Sequence, residues 1–246
     1  MLRTPRAKDK YLALGTSVHT ALEYYFRRYK DTNKLPEVSY LITEFNKAIE
    51  QEVLTKAEHR EGKHKGEVIL KAYYETYKKE FVKPLFTEKF FGYGASKIYM
   101  DDISLTGKID KIELLNKQEK SAKVIDYKTG KPRSRNEIEG KTKYSNGDYK
   151  RQLVFYKVLT DLDRSFDFKV TETELDFVET DKEGKYSKES FVITQEESEE
   201  LKTIIKEVMK KIRSLEFPRT TEYRVCTSCE FKDHCWPNGN PRGDTT

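Results

Sequence analysis

The chain has 246 residues, with 47 Lys+Arg against 42 Asp+Glu, a net charge of +5, and equal shares (36%) of hydrophobic and charged residues. That length can bury a core as one large domain or two small ones, and a mean hydropathy of −0.84 with no long apolar run excludes a membrane-spanning helix. Sixteen Tyr and 13 Phe exclude a disordered polymer, and no apolar segment follows the basic start as in a signal peptide, so a soluble, cytoplasmic protein is expected.

The first part of the chain reads as helical. Ala21, Leu22, Tyr25, Phe26 and Tyr29 recur at helical spacing behind the cap candidates Thr16 and Ser17. A second helix is expected over Val38 to Leu54, with Leu41, Ile42, Phe45, Ala48 and Ile49 on its apolar side. A third runs from about Lys65 to Val82 and stops ahead of Pro84. The texture then changes to short segments rich in aromatic and β-branched residues, namely Phe86 to Tyr93, Lys97 to Met100, Ser104 to Leu115 and Ala122 to Tyr127, which suggest an antiparallel meander. The polar, basic stretch from Lys131 to Lys150 reads as a long mobile loop. There follow a helix from about Tyr149 to Leu162, strands near Lys169 to Val178 and Tyr186 to Val192, and a helix opened by the Thr194/Glu197 capping box and reaching Leu215. This order implies a mixed α/β or α+β fold. Residues 1–84 form its helical N-terminal region, 85–217 its core and 218–246 a Cys-rich tail, within one compact domain.

Charge inside apolar segments is the sharpest chemical signal. Asp110 lies between Ile109 and Ile112 in a strand-like segment, and Asp126-Tyr127-Lys128 ends the next strand. A lone carboxylate in a sheet core is costly unless paired or bound to metal. Strand alternation sets Asp126 and Lys128 on one face, about 6.6 Å apart along the backbone. Two carboxylates and a lysine so placed suit Mg²⁺ or Mn²⁺, which take oxygen ligands and bridge to phosphate, although Asp-x-Lys alone also fits a strand-edge salt bridge. His19 opens a helix, with Glu23 four residues on and able to hold its second ring nitrogen. Gln152 and Tyr156 share a helix face and could present an amide and a phenol to phosphate or a base. Cys226, Cys229 and Cys235 cluster as thiolates do for a metal or an iron–sulfur cluster in a reducing compartment. An odd number of cysteines cannot close into intrachain disulfides.

Taken together, His19 in Gly-Thr-Ser-Val-His, Gly107-Lys108-Ile109-Asp110, Asp126-Tyr127-Lys128, Gln152-xxx-Tyr156 and the cysteine triplet resemble the RecB-like branch of the PD-(D/E)XK nucleases. That branch includes domains fused to superfamily 1 helicases and the nuclease of CRISPR adaptation. The resemblance runs from about residue 15 to residue 235. It implies a restriction-endonuclease-like core, a central mixed sheet flanked by helices, and a metal-dependent DNA nuclease of exonuclease type, acting on single strands or DNA ends in recombination and repair. It implies that His19, Asp110 and Asp126 ligate Mg²⁺ or Mn²⁺, that Asp110, Asp126 and Lys128 are catalytic, and that Gln152 and Tyr156 line the DNA path. Glu23 and Glu88 are accessory carboxylates. Lys131, Arg133, Arg135 and Arg151 of the basic segment would guide the strand by phosphate contacts. DNA is the expected partner, together with a helicase region on this or another polypeptide.

Two features depart from the pattern. No proline precedes Asp110. Iron–sulfur members place a fourth cysteine upstream of the histidine motif, so that a 4Fe-4S cluster staples the two ends, but no cysteine precedes His19 here. Either a longer polypeptide supplies it or the cluster is lost; the short lead before Gly15 favours excision from a larger chain. The rivals are a non-catalytic DNA-binding or scaffolding module of a helicase–nuclease complex, and a zinc-ribbon-like binding protein built on the cysteines. Neither explains why Asp110, Asp126 and Lys128 are all present.

Overall fold

The computed structural model describes residues 9–94, 96–220, 226, 229–237 and 239. Three helices come first: α1 (Lys10–Thr32), α2 (Val38–Glu50) and α3 (Lys56–Tyr77). The helix α1 begins earlier than its sequence suggested. Asp9 caps it by accepting from the Tyr11 amide at 2.7 Å, while the hydroxyls of Thr16 and Ser17 bond back to the carbonyls of Leu12 and Ala13. His19 therefore sits mid-helix rather than in a first turn. The helix α3 also starts a full two turns before Lys65, because Thr55 and Glu58 close a capping box at its N-terminus.

The sheet follows. β1 (Pro84–Phe91), β4 (Gly107–Asn116), β5 (Ser121–Lys128), β6 (Lys169–Phe177) and β7 (Lys188–Phe191) form five strands in the order β1-β4-β5-β6-β7. All neighbours are antiparallel except β5 and β6, which run parallel. Parallel neighbours need a crossover, and α5 (Asp148–Leu162) supplies it. The segment expected as a single strand from Ser104 to Leu115 divides: β3 (Ile103–Leu105) pairs with β2 (Ile98–Met100) as a separate ribbon, and β4 begins afresh at Gly107. The result is the mixed sheet flanked by helices anticipated for a restriction-endonuclease-like fold.

One face of the sheet carries the main apolar core. Phe26, Leu41, Phe45, Leu70 and Tyr73 of the helices pack with Ile125 and Tyr127 of β5, and Phe26 stacks on Tyr127 at 6.3 Å between ring centroids. Gly66 is required there, since a Cβ at that position would lie 2.0 Å from the Phe45 ring.

The basic segment is not a structureless loop. Ser134 and Glu137 cap a single turn, α4 (Arg135–Ile138). Gly140 and Gly147, both at positive φ, bring their backbones together, with room for a Cβ at Gly140 denied by the Gly147 amide at 2.7 Å.

The chain divides into two compact units, Met1–Lys202 and Thr203–Thr246. The first unit contains everything above and the first turns of α6 (Gln195–Arg213). In the second unit the short helix α7 (Lys232–Cys235) follows Cys226 and Cys229 and ends on Cys235, and the Arg219 guanidinium lies 4.7 Å over the Trp236 ring. Among the described residues, no helix is long and apolar enough to cross a membrane.

Candidate active site

Three strands and one helix deliver the acidic residues and the imidazole to one place. In the β1–β4 register, Glu88 falls between the pairs Thr87↔Lys111 and Lys89↔Ile109, hence opposite Asp110. Extending the β4–β5 register one residue beyond Lys111↔Ile125 sets Asp126 opposite Asp110 on its other side. Glu88, Asp110 and Asp126 thus form a row across three adjacent strands, on one face of the pleat. The row is under local strain at its edge, because Glu88 adopts φ +46° within β1, a conformation that non-glycine residues seldom take.

The helix α1 brings His19 over this row. Its Nδ1 lies 3.2 Å from Asp110 Oδ2, and the Tyr127 amide donates to the same oxygen at 2.9 Å. Close approach of α1 is allowed by Gly15, one turn before His19, where a Cβ would stand 3.0 Å from Thr129 Oγ1. Ligating atoms of His19, Glu88 and Asp110 all lie within 4.8 Å of one another, the one such trio of His, Cys, Asp or Glu among the described residues. Sequence reasoning placed Asp126 in that trio and Glu88 outside it. The structure instead turns Asp126 toward Lys128 and Tyr156.

That turn closes a polar ring. Lys128 Nζ stands 2.7 Å from Asp126 Oδ2 and donates to Gln152 Oε1 at 2.6 Å. Gln152 Nε2 donates to the Tyr156 oxygen at 2.8 Å, and the Tyr156 hydroxyl donates to Asp126 Oδ1, also at 2.8 Å. Gln152 and Tyr156 face the site together because they are one turn apart on α5. Tyr149, a turn earlier, puts its ring under the same ammonium at 4.5 Å and under the Arg133 guanidinium at 4.2 Å. Sequence reasoning missed Tyr149 altogether.

Electrostatics at the row favour a cation. Burial pushes the Asp126 carboxyl above the usual carboxylate range and the neighbouring Asp110 charge adds to this, against the pull of Lys128 and Tyr156. Glu88 is raised in the same way, by burial and then by Asp110, although Lys108 pairs with it. Burial alone would lower the His19 imidazole, but Asp110, Asp126 and Glu88 outweigh it and leave the group raised. Asp126 Oδ2 and Glu88 Oε2 are both buried, each against one ammonium group, Lys128 and Lys108 respectively. Mutually repelling buried carboxylates gathered beside an imidazole fit a divalent cation of the Mg²⁺ or Mn²⁺ kind.

A family model described as the PD-(D/E)XK nuclease superfamily matches residues 1–236. The chain belongs to that superfamily. Membership implies metal-dependent nuclease chemistry, with which the acidic row agrees. Comparison with curated proteins finds no match. A solved structure described as "Crystal structure of SSO0001" covers 94% of this nuclease and 86% of its own chain, at 14% identity and a TM-score of 0.39, too shallow a likeness to carry an argument.

The remaining charged residues expected at the site have other partners or face solvent. Glu23 lines the cleft with His19, but its carboxylate pairs with Arg27, not with the imidazole. Arg135 is engaged by Glu139 and Glu189, and Arg151 donates to the Asn146 carbonyl. Lys131 and Arg133 are exposed. Cys226 is buried, Cys229 exposed and Cys235 half-buried, all as free thiols, and they do not form a close trio among the described residues.

Proposed function

We propose that the protein is a DNA nuclease of the RecB-like branch, hydrolysing phosphodiester bonds at single strands or DNA ends beside a helicase. The observation that carries this reading is the alignment of Glu88, Asp110 and Asp126 across three strands, with His19 on the central Asp110 and Lys128 on Asp126. His19, Glu88 and Asp110 would hold the cation, with Asp126 next in the row. When bound, that cation offsets phosphate charge and makes water acidic enough to attack at neutral pH.

The other roles belong to the chain itself. Asp126 and Gln152 fix the Lys128 ammonium, which stands ready to stabilise charge developing on the phosphate or to orient the attacking water. Tyr156 holds Asp126 in the rotamer that does this. Lys131 and Arg133, exposed on the segment leading into α5, supply phosphate contacts that steer the strand. The three thiols suit part of an iron–sulfur ligand set that would need a fourth ligand from elsewhere.

Lys128→Ala and Asp126→Ala test the reading. Both are expected to lose Mg²⁺- or Mn²⁺-dependent cleavage of an end-labelled single-stranded oligodeoxynucleotide while keeping the circular dichroism spectrum of the parent. Full cleavage by either variant would overturn the assignment.

A further inference from the structure

Exposed aromatic rings that no catalytic role explains lie in the acidic cleft and next to its Lys108. Phe90 and Tyr93 are 57% and 63% exposed and meet edge to face at 5.4 Å. Tyr11, 65% exposed, lines the same cleft as His19, Glu88 and Asp110. Single exposed rings are ordinary on a protein surface; what sets these apart is their link to the acidic row.

Lys108 ties these rings to the chemistry. It is the partner of Phe90 in the β1–β4 register, one step along the same face from Glu88 and Asp110. Its ammonium lies 5.6 Å over the Phe90 ring while pairing with the Glu88 carboxylate, and it lines the cleft as well. From the acidic row the surface therefore passes through one cation directly to a pair of exposed aromatic rings. Cation and ring side by side is the arrangement that binds a phosphate and the base attached to it.

We infer that Phe90 and Tyr93, with Tyr11 on the same cleft, are a stacking platform for unpaired nucleobases flanking the scissile phosphate, and that Lys108 takes the adjoining backbone phosphate. The inference rests on the nuclease reading and deepens it by naming what selects the strand. A duplex keeps its base faces stacked on one another and cannot offer them to these rings, so the platform favours a single strand.

The test is fluorescence anisotropy of the full chain with labelled oligo-dT and with a labelled blunt duplex, Ca²⁺ replacing Mg²⁺, alongside Mn²⁺-dependent cleavage. The Phe90→Ala/Tyr93→Ala variant is expected to bind oligo-dT roughly 5- to 150-fold more weakly, the worth of about one stacked base. Its duplex affinity should move by less than about twofold, and its slope of affinity against salt should stay that of the parent, since no phosphate contact is removed. Phe90→Trp, which keeps a stacking face, should bind oligo-dT at least as well as the parent. Unchanged oligo-dT affinity in the double variant, or equal weakening for strand and duplex, removes the platform while leaving the nuclease standing. A parent that neither binds nor cleaves DNA removes both.

Discussion

Tyr156→Phe isolates the polar ring around Lys128 with the loss of one oxygen atom. Tyr156 is 5% exposed and Asp126 2%, so neither group left behind can turn to bulk water. Removing the hydroxyl deprives Asp126 Oδ1 of its donor and Gln152 Nε2 of its acceptor. A buried polar group left unsatisfied costs about 1–3 kcal/mol. Gln152 is half-buried and still has Lys128, so the expected loss is about 2 kcal/mol, carried chiefly by Asp126. For a chain of this size that corresponds to a fall in Tm of about 4–8 °C.

The same change acts on cleavage. Gln152 loses one of its two anchors, and with it Lys128 loses part of the geometry that holds its ammonium beside Asp126. A tenfold fall in kcat requires only about 1.4 kcal/mol of lost positioning, and the variant is expected to show at least that, with KM for the oligonucleotide little changed. Urea unfolding followed by tryptophan or far-ultraviolet signals, with initial-rate cleavage, gives both numbers. Gln152→Ala and the double variant complete a cycle, whose coupling should exceed about 0.5 kcal/mol if the ring is closed. A Tyr156→Phe protein within 0.5 kcal/mol of the parent and cutting at the parental rate would refute the reasoning.

Two further outcomes follow from the sheet. Glu88→Gln keeps the shape of the side chain but removes one charge from the acidic row, so the Mg²⁺ concentration giving half-maximal cleavage should rise several-fold; an unchanged metal titration would move the cation away from Glu88. On the opposite face, Asp176 takes a hydrogen bond from Tyr73 at 2.6 Å, yet burial pushes its carboxyl above the ordinary value of 3.8, against the pull of Lys188. The folded state therefore holds that proton more tightly than the unfolded chain. This contribution to stability is complete below pH 3.8 and declines as pH rises through the raised value. The difference in unfolding free energy between parent and Asp176→Asn, followed by urea titration from pH 4 upward, should shift in favour of the variant as pH rises; a pH-independent difference would contradict the assignment.

What the sequence discloses and what it hides divide along physical lines. Asp110, Asp126 and Lys128 stand out because charge within apolar strand segments violates the cost of burial, and the one-turn spacing of Gln152 and Tyr156 survives any error in helix ends. Glu88 does not stand out. It lies in a segment where Thr87 and Lys89 are also polar, and only the cross-strand register puts it opposite Asp110. Register is a long-range property that alternation along one strand does not contain. The start of α1 was masked because Thr16 and Ser17 look like caps, whereas inside a helix their hydroxyls are content with carbonyls one turn back. Ser134-x-x-Glu137 carries the same capping signature as Thr194-x-x-Glu197, but one turn of helix has no apolar period to announce it.

A row of acids drawn from three strands has a consequence for the life of the chain before folding is complete. Glu88, Asp110 and Asp126 are strangers in sequence and become neighbours only when β1 and β5 have both zipped onto β4. A slip of one residue in either pairing would send one carboxylate to the far side of the pleat. A nascent or misregistered molecule thus lacks the assembled row, and the proposed chemistry has to wait until both pairings are complete.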